Sequence, residues 1–165
     1  MGDYFQNGPI TTLHDFGLRT TEDLDKDLVR WGKERPMWLI IPSLFSELEG
    51  PALNHIVDEL AQVPFLDQII IGLDRANEDE FHQACEFFSR LPQTTRILWN
   101  DGPRLRALDQ VFSDHSIAPL EAGKGRNVWY SMGYFLASGR SSVVALHDAD
   151  ILTYSRDMLA RLLYP

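Results

Sequence analysis

Val143-Val144-Ala145-Leu146-His147-Asp148-Ala149-Asp150-Ile151 is the stretch on which the reading of this chain turns. Val143 to Leu146 are apolar and rich in β-branched side chains, the pattern of a short parallel strand covered on both faces. The run stops at two carboxylates separated by one small residue. Ligands of open α/β sheets bind at the carboxyl ends of the strands. At such an end Asp148 and Asp150 can share a hard divalent cation that bridges to phosphate oxygens, the usual way in which Mg²⁺ is held. Ala149 lets the backbone turn there without blocking the ion.

Upstream, the same design recurs. Met37-Trp38-Leu39-Ile40-Ile41 is a continuous apolar run that ends at Pro42 and reads as a buried first strand. Pro42 to Gly50 form the loop after it, and Pro51 suits the first position of a helix striped by Ala52, Ile56, Val57, Leu60 and Ala61. Leu66 to Asp74 is a second apolar strand with an acid at its end. The period then changes to helical from Glu78 to Arg90, with Phe81, Ala84, Cys85 and Phe88 as the inner face. Thr95 to Trp99 is a third strand, and Asn100-Asp101-Gly102-Pro103 is a strong turn. Leu105, Leu108, Val111 and Phe112 mark the next helix, and Ser116–Ala122 an irregular connection. Gly123-Lys124-Gly125 opens a helix carrying Val128, Met132, Phe135 and Leu136, which Gly139 ends. After the acids, Ser155 caps a last helix with Met158, Leu159, Leu162 and Leu163 inside. Strand and helix alternate, so a mostly parallel α/β sheet with helices on both faces is expected.

Residues 1–36 read as an N-terminal arm outside the core, packed on a domain at 37–165. Thr20-Thr21-Glu22-Asp23 starts a helix in it, with Leu24, Leu28 and Trp31 as one stripe. The polar and aromatic strings Asp3–Asn7 and Thr11–His14 have a second reading, as lining of a site.

Composition narrows the function. Hydrophobic content of 44% and charged content of 24% are ordinary for a folded domain, and 165 residues suffice for one core. A net charge of −9 argues against a nucleic-acid surface, which needs clustered Lys and Arg. The single cysteine, Cys85, excludes an intrachain disulfide and suits a reducing cytoplasm; its helical neighbours Phe87 and Phe88 suggest buried filler rather than a nucleophile. No apolar run approaches the roughly 20 residues of a membrane span. The N-terminus lacks the basic-then-apolar order of a signal peptide.

A lone Asp-x-Asp also occurs as solvated acids beside a turn. Here it joins Pro42–Glu47, Asp74 and Lys124, which a parallel sheet brings to the same edge. Backbone N–H groups at the Gly123-Lys124-Gly125 helix start favour an anion, and Lys124 can reach a phosphate as a point charge; a flexible turn with a solvated lysine is the alternative. The segment is no Walker loop, and G-x-G-x-x-G is absent. His147 reads as a packing histidine, Trp129 and Tyr130 as core, and the remaining histidines have no metal-ligand spacing.

Strand-Pro42-x-x-x-x-Glu47, strand-Asp74, Gly123-Lys124-Gly125 with a helix, and strand-Asp148-Ala149-Asp150 together resemble the GT-A nucleotide-sugar glycosyltransferases of the family 2 kind. Ile41-Pro42-Ser43-Leu44 and the Gly-Lys-Gly segment are most similar to the glucosyl-3-phosphoglycerate and mannosylglycerate synthase type. The resemblance covers residues 37–163. It implies a Rossmann-like GT-A fold, in its N-terminal nucleotide-binding half. It implies a nucleotide-sugar donor, UDP-glucose or a GDP-sugar, and transfer, with retention, to a small phosphorylated or carboxylic acceptor such as 3-phosphoglycerate. It places Pro42, Ser43 and Leu44 on base and ribose, with Glu47 in the same loop, Asp74 near the uracil or ribose, and Lys124 beside the nucleotide. Asp148 and Asp150 would bracket the ribose and an Mg²⁺ or Mn²⁺ on the diphosphate. Two stretches depart from the family pattern: Phe45-Ser46-Glu47 replaces an Asn-Glu pair, and Arg75-Ala76-Asn77 replaces a Ser/Gly-rich segment. A nucleotidyltransferase and a nucleotide-sugar-binding domain without transfer chemistry are the alternatives.

The chain stops one helix past Asp150, at Leu163-Tyr164-Pro165. The acceptor half of a GT-A enzyme is therefore expected to be missing. The apolar end is expected to leave a face through which the chain can form a homo-oligomer.

Overall fold

The computed structural model describes residues 19–117, 119, 121–140 and 143–164. The strings at 3–7 and 11–14 lie outside the described residues. In chain order the elements are α1 (Thr21–Gly32), β1 (Met37–Leu44), α2 (Pro51–Leu60), β2 (Leu66–Asp74), α3 (Glu78–Phe88), β3 (Thr94–Trp99), α4 (Pro103–Asp114), α5 (Lys124–Ser138), β4 (Val143–Leu146) and α6 (Arg156–Leu163). One 3₁₀ turn, Phe45–Glu49, follows β1. The strands form a 4-stranded sheet in the order β3-β2-β1-β4, parallel at every pairing. The parallel α/β architecture expected from the sequence is the one observed.

Alternation along the central strands builds two cores. Leu39, Ile41, Ile69, Ile71 and Leu73 point to one face, where Leu24 and Leu28 of α1, Leu53, Ile56, Val57 and Leu60 of α2, Phe88 of α3 and Leu159 of α6 cover them. Trp38, Ile40 and Ile70 point to the other, against Phe135 and Met132 of α5. Residues 21–32 thus enter the main core rather than lying outside it. Thr20 caps α1 by accepting from the Asp23 N–H, and the stripe at Leu24 and Leu28 is fully covered. Arg156 at the start of α6 ties the two helices together, donating to Asp25 at 2.6 Å and to Glu22 at 2.6 Å.

Several expectations are corrected by packing. Pro42 does not end β1; it sits inside the strand, in register with Gly72. Ile40 O accepts from the His147 N–H, so two residues on Pro42 also turns its backbone toward β4. The β1–β4 ladder stops at Ile40, and the missing N–H of Pro42 removes no ladder bond. β4 is an edge strand among the described residues, half-buried rather than covered on both faces.

The face of α5 is rotated from the apolar stripe. Its buried residues are Asn127, Tyr130, Ser131 and Phe135, whereas Leu136 is 73% exposed. Cys85 is exposed, because α3 turns Ala84 and Phe88 inward and leaves the position between them on its flank. α4 forms as expected but buries none of its residues, and Leu108, Val111 and Trp129 stand exposed on α4 and α5. In α6, Leu159 and Ala160 are inside and Leu162 is exposed. No described helix is long and apolar enough to cross a membrane.

Candidate functional site

The carboxyl ends of β1, β2 and β4 and the first turn of α5 surround one cleft of about 240 Å³. Pro42, Ser43, Leu44 and Glu47 line it from β1 and the turn that follows. Asp74 and Arg75 line it from the end of β2, Lys124 and Asn127 from α5, and Asp148, Ala149 and Asp150 from the end of β4. Every side chain singled out in the sequence for this site therefore lies around the same cavity. Arg75 and Asn127 join them without having been chosen as site residues.

Each wall has a local cause. After β1 the chain tightens into the 3₁₀ turn, and the Leu44 N–H donates to Glu47 Oε2 at 2.8 Å. Ser43 is buried and donates to the Leu44 carbonyl at 3.0 Å. After β2, Arg75 adopts φ 57, a left-handed conformation uncommon for a residue with a side chain. Its N–H donates to Asp74 Oδ1 at 3.1 Å. The next residue is held from the β3–α4 connection: the Ala76 N–H donates to Asp101 Oδ2 at 3.1 Å, and Trp99 Nε1 donates to the Ala76 carbonyl at 2.7 Å.

α5 enters through Gly123 at φ 145, a region that favours glycine, and its N-terminus carries no side-chain cap. Its first N–H groups and the helix dipole are thereby left to favour an anion. Asn127, one turn in, is 2% exposed and donates from Nδ2 to the Gly72 carbonyl at 2.6 Å. This contact requires glycine on β2: a Cβ on residue 72 would lie 1.8 Å from Asn127 Oδ1. A polar residue three positions after Lys124, and so on the same side of the helix, was the available sequence signal for Asn127.

The acids end β4 on a fixed footing. His147 is buried, its ring 3.1 Å from the Tyr154 hydroxyl and hydrogen-bonded to it. Burial lowers the His147 pKa below the usual imidazole value, with the Asp148 charge opposing, so the ring serves as a neutral packing group. Ala149 is 2% exposed, and the carboxylates on either side of it border the cleft. Lys124 Nζ lies 2.6 Å from Asp148 Oδ1, an ion pair between two partly exposed groups. Asp150 is exposed.

Among the described residues no group of three or more His, Cys, Asp or Glu is gathered for a metal. A cation at this point would have two carboxylates, Asp148 and Asp150, from the protein. Hard oxygen donors in that number suit Mg²⁺ or Mn²⁺ held jointly with the oxygens of a bound diphosphate. The residues present fit such an ion.

Curated relatives place the chain. It is 43% identical over 165 residues to glucosyl-3-phosphoglycerate synthase of Persephonella marina, covering 100% of this chain and 41% of the relative. To the synthase of the same name from Methanococcoides burtonii it is 36% identical over 167 residues, covering 99% of this chain and 40% of the relative. Along its whole length this chain is similar to glucosyl-3-phosphoglycerate synthases. It spans about two-fifths of the length of these relatives. The fold agrees. Glucosyl-3-phosphoglycerate synthase of Mycobacterium tuberculosis, solved in complex with Mn²⁺, UDP and glucosyl-3-phosphoglycerate, superposes with a TM-score of 0.56 at 19% identity. That match covers 90% of this chain and 43% of the solved one. The resemblance to a GT-A glycosyltransferase is thereby supported at the level of fold, with the part present corresponding to under half of the solved enzyme. No protein-family model matches the chain.

Proposed function

We propose that this chain is the nucleotide-sugar-binding part of a metal-dependent glycosyltransferase. The donor is a nucleoside diphosphate sugar, UDP-glucose or GDP-glucose, and the acceptor a small acid such as 3-phosphoglycerate. The observation that carries the reading is the single cleft in which the β1 turn, Asp74, the start of α5 and the Asp-Ala-Asp meet. The likeness to glucosyl-3-phosphoglycerate synthases supports the choice of donor and acceptor.

In this reading Pro42, Ser43 and Leu44 form the floor for ribose and base. Asp74 accepts hydrogen bonds from the nucleoside. The uncapped α5 N-terminus and Lys124 face the diphosphate. Asp148 and Asp150 would hold Mg²⁺ or Mn²⁺, which when bound supplies Lewis-acid stabilisation of the negative charge on the departing diphosphate. Lys124, paired with Asp148 at 2.6 Å, would be released to a phosphate oxygen were that carboxylate to hold the cation. Of the division into an arm at 1–36 and a domain at 37–165, α1 belongs to the core of the domain, and residues 1–18 lie outside the described residues.

Calorimetric titration with UDP and Mn²⁺ tests the binding step. UDP is expected to bind with Mn²⁺ and about tenfold or more weakly with chelator. Asp150→Asn should remove most of that metal-dependent part, the scale of a charge-assisted contact of about 1.5–3 kcal/mol. Binding that is indifferent both to chelator and to Asp150→Asn would refute the site. Label that leaves UDP-glucose as glucose joined to phosphoglycerate, rather than as a transferred nucleotidyl group, separates the glycosyltransferase from a nucleotidyltransferase.

A further inference from the structure

We propose that Arg75 is the residue that selects the base of the bound nucleotide, and that it selects for a base with a ring N–H beside a carbonyl, uracil or guanine, over adenine. The proposal rests on the nucleotide-binding reading of the cleft and adds to it a residue that the family pattern did not supply.

The first observation is position. The sheet runs β3-β2-β1-β4, so the acids at the end of β4 and Asp74-Arg75 at the end of β2 are separated by β1. Two strand spacings amount to about 10 Å. A nucleotide whose diphosphate faces Asp148, Asp150 and Lys124 therefore crosses the end of β1 and brings its base toward the end of β2. Arg75 lines the same cleft at that far end.

The second observation is charge. The cations lining the cleft are Lys124 and Arg75. Lys124 is engaged with Asp148. The guanidinium of Arg75 makes no hydrogen bond or ion pair among the described residues; only its backbone N–H is used, toward Asp74. Arg75 thus offers a planar fork of donors on the same cleft wall as the Asp74 carboxylate. Uracil presents N3–H next to the O4 carbonyl, and guanine N1–H next to O6. In each, the N–H can donate to Asp74 while the carbonyl accepts from Arg75. Adenine reverses that order, with an amino donor where O4 or O6 stands and a bare ring acceptor where the N–H stands, so it meets the fork and the carboxylate with like groups.

The third observation is the backbone. Arg75 holds φ 57 without being glycine, asparagine or aspartate, and the turn is held there by Ala76, whose N–H donates to Asp101 and whose carbonyl accepts from Trp99. A left-handed residue with a long side chain costs stability and persists where surrounding structure over-determines it, most often at ligand sites. The conformation starts the Arg75 side chain from the cleft rim, where it stays exposed.

The test is calorimetry with Mn²⁺ and UDP, GDP, ADP and pyrophosphate on the wild-type chain, Arg75→Gly and Arg75→Lys. Glycine takes the left-handed conformation freely, so Arg75→Gly should melt no lower than wild type. For whichever of UDP and GDP the wild type prefers, Arg75→Gly should weaken binding about tenfold while ADP and pyrophosphate stay within about twofold. Arg75→Lys should not restore the preference, because a point charge lacks the planar fork. Equal loss for UDP, ADP and pyrophosphate, or full rescue by lysine, would assign Arg75 to the phosphates and overturn the proposal. So would an unchanged preference in Arg75→Gly. If the wild type binds no nucleoside diphosphate with metal, the nucleotide reading itself fails and this inference falls with it.

Discussion

Gly72→Ala should damage the protein through one contact that can be worked out atom by atom. A Cβ on residue 72 would stand 1.8 Å from Asn127 Oδ1, 2.8 Å from its Cγ and 2.9 Å from Ser131 Oγ. None of these atoms is the free end of a flexible surface chain: Asn127 is 2% exposed and Ser131 0%. Accommodation requires α5 to lift from β2 or Asn127 to leave its rotamer, and either breaks the 2.6 Å bond from Nδ2 to the Gly72 carbonyl. Overpacking of this kind costs about 1–3 kcal/mol. Leaving the buried amide and carbonyl unpaired adds about 1–3 kcal/mol, and the two overlap in part, so a total near 3 kcal/mol is expected. With a urea slope of about 2 kcal/mol/M, the unfolding midpoint should fall by about 1.5 M. Urea titration followed by far-UV circular dichroism measures it. The double variant Gly72→Ala/Asn127→Ala removes the clashing amide and leaves only the 2.9 Å contact with Ser131 Oγ, so it should lie about 1 kcal/mol below Asn127→Ala alone. The resulting coupling of about 2 kcal/mol is the signature of direct contact. A loss below about 0.5 kcal/mol for Gly72→Ala, or additivity of the two changes, would refute the packing of α5 against β2.

Two further outcomes are expected. Lys124→Ala should weaken UDP binding by about 1–3 kcal/mol while leaving circular dichroism unchanged. It should also tighten binding of Mn²⁺ alone, read by electron paramagnetic resonance, because Asp148 loses the ion pair that competes with the metal; if neither affinity moves, Lys124 is a bystander. Asp25 has one oxygen buried without a partner, and burial pushes its carboxyl above the ordinary value, with Arg156 pulling it back. A raised carboxyl stabilises the fold below its unfolded pKa of about 4, and that contribution is lost as pH rises through the folded pKa. Stability of the wild type relative to Asp25→Asn should therefore fall in urea titrations as pH rises from about 4 until the carboxyl has ionised in the folded state, and a rise there would contradict the burial argument.

The strands and their order of appearance could be read from the chain because strand character is local. Met37 to Ile41 and Ile69 to Ile71 declare themselves by continuous apolar side chains, and both strands form, β1 running on through Pro42 to Leu44. The caps at Thr20 and Ser155 and the stop at Gly139 are equally local, each decided by one residue's hydrogen bond or backbone freedom. The gathering of Pro42, Asp74, Lys124 and Asp148 at one edge followed from topology alone, since all parallel strands end on the same side.

What the chain order could not decide was which residues meet across it. Asn127 and Gly72 are 55 positions apart, and their contact turns α5 so that Asn127, Ser131 and Phe135, not Val128 and Leu136, form its buried face. Cys85 is exposed although its neighbours are apolar, because burial depends on where α3 rests and not on its own pattern. Pro42 stays in β1 because β4 is too short to need its missing N–H, a fact about the partner strand. Lys124 meets Asp148, and the Arg75 guanidinium is left without a partner among the described residues, only once the ends of separate elements are brought within reach. Local sequence determines which elements form and where they stop. Register, facing and the pairing of charges are properties of surfaces in contact, and those exist only after the chain has packed.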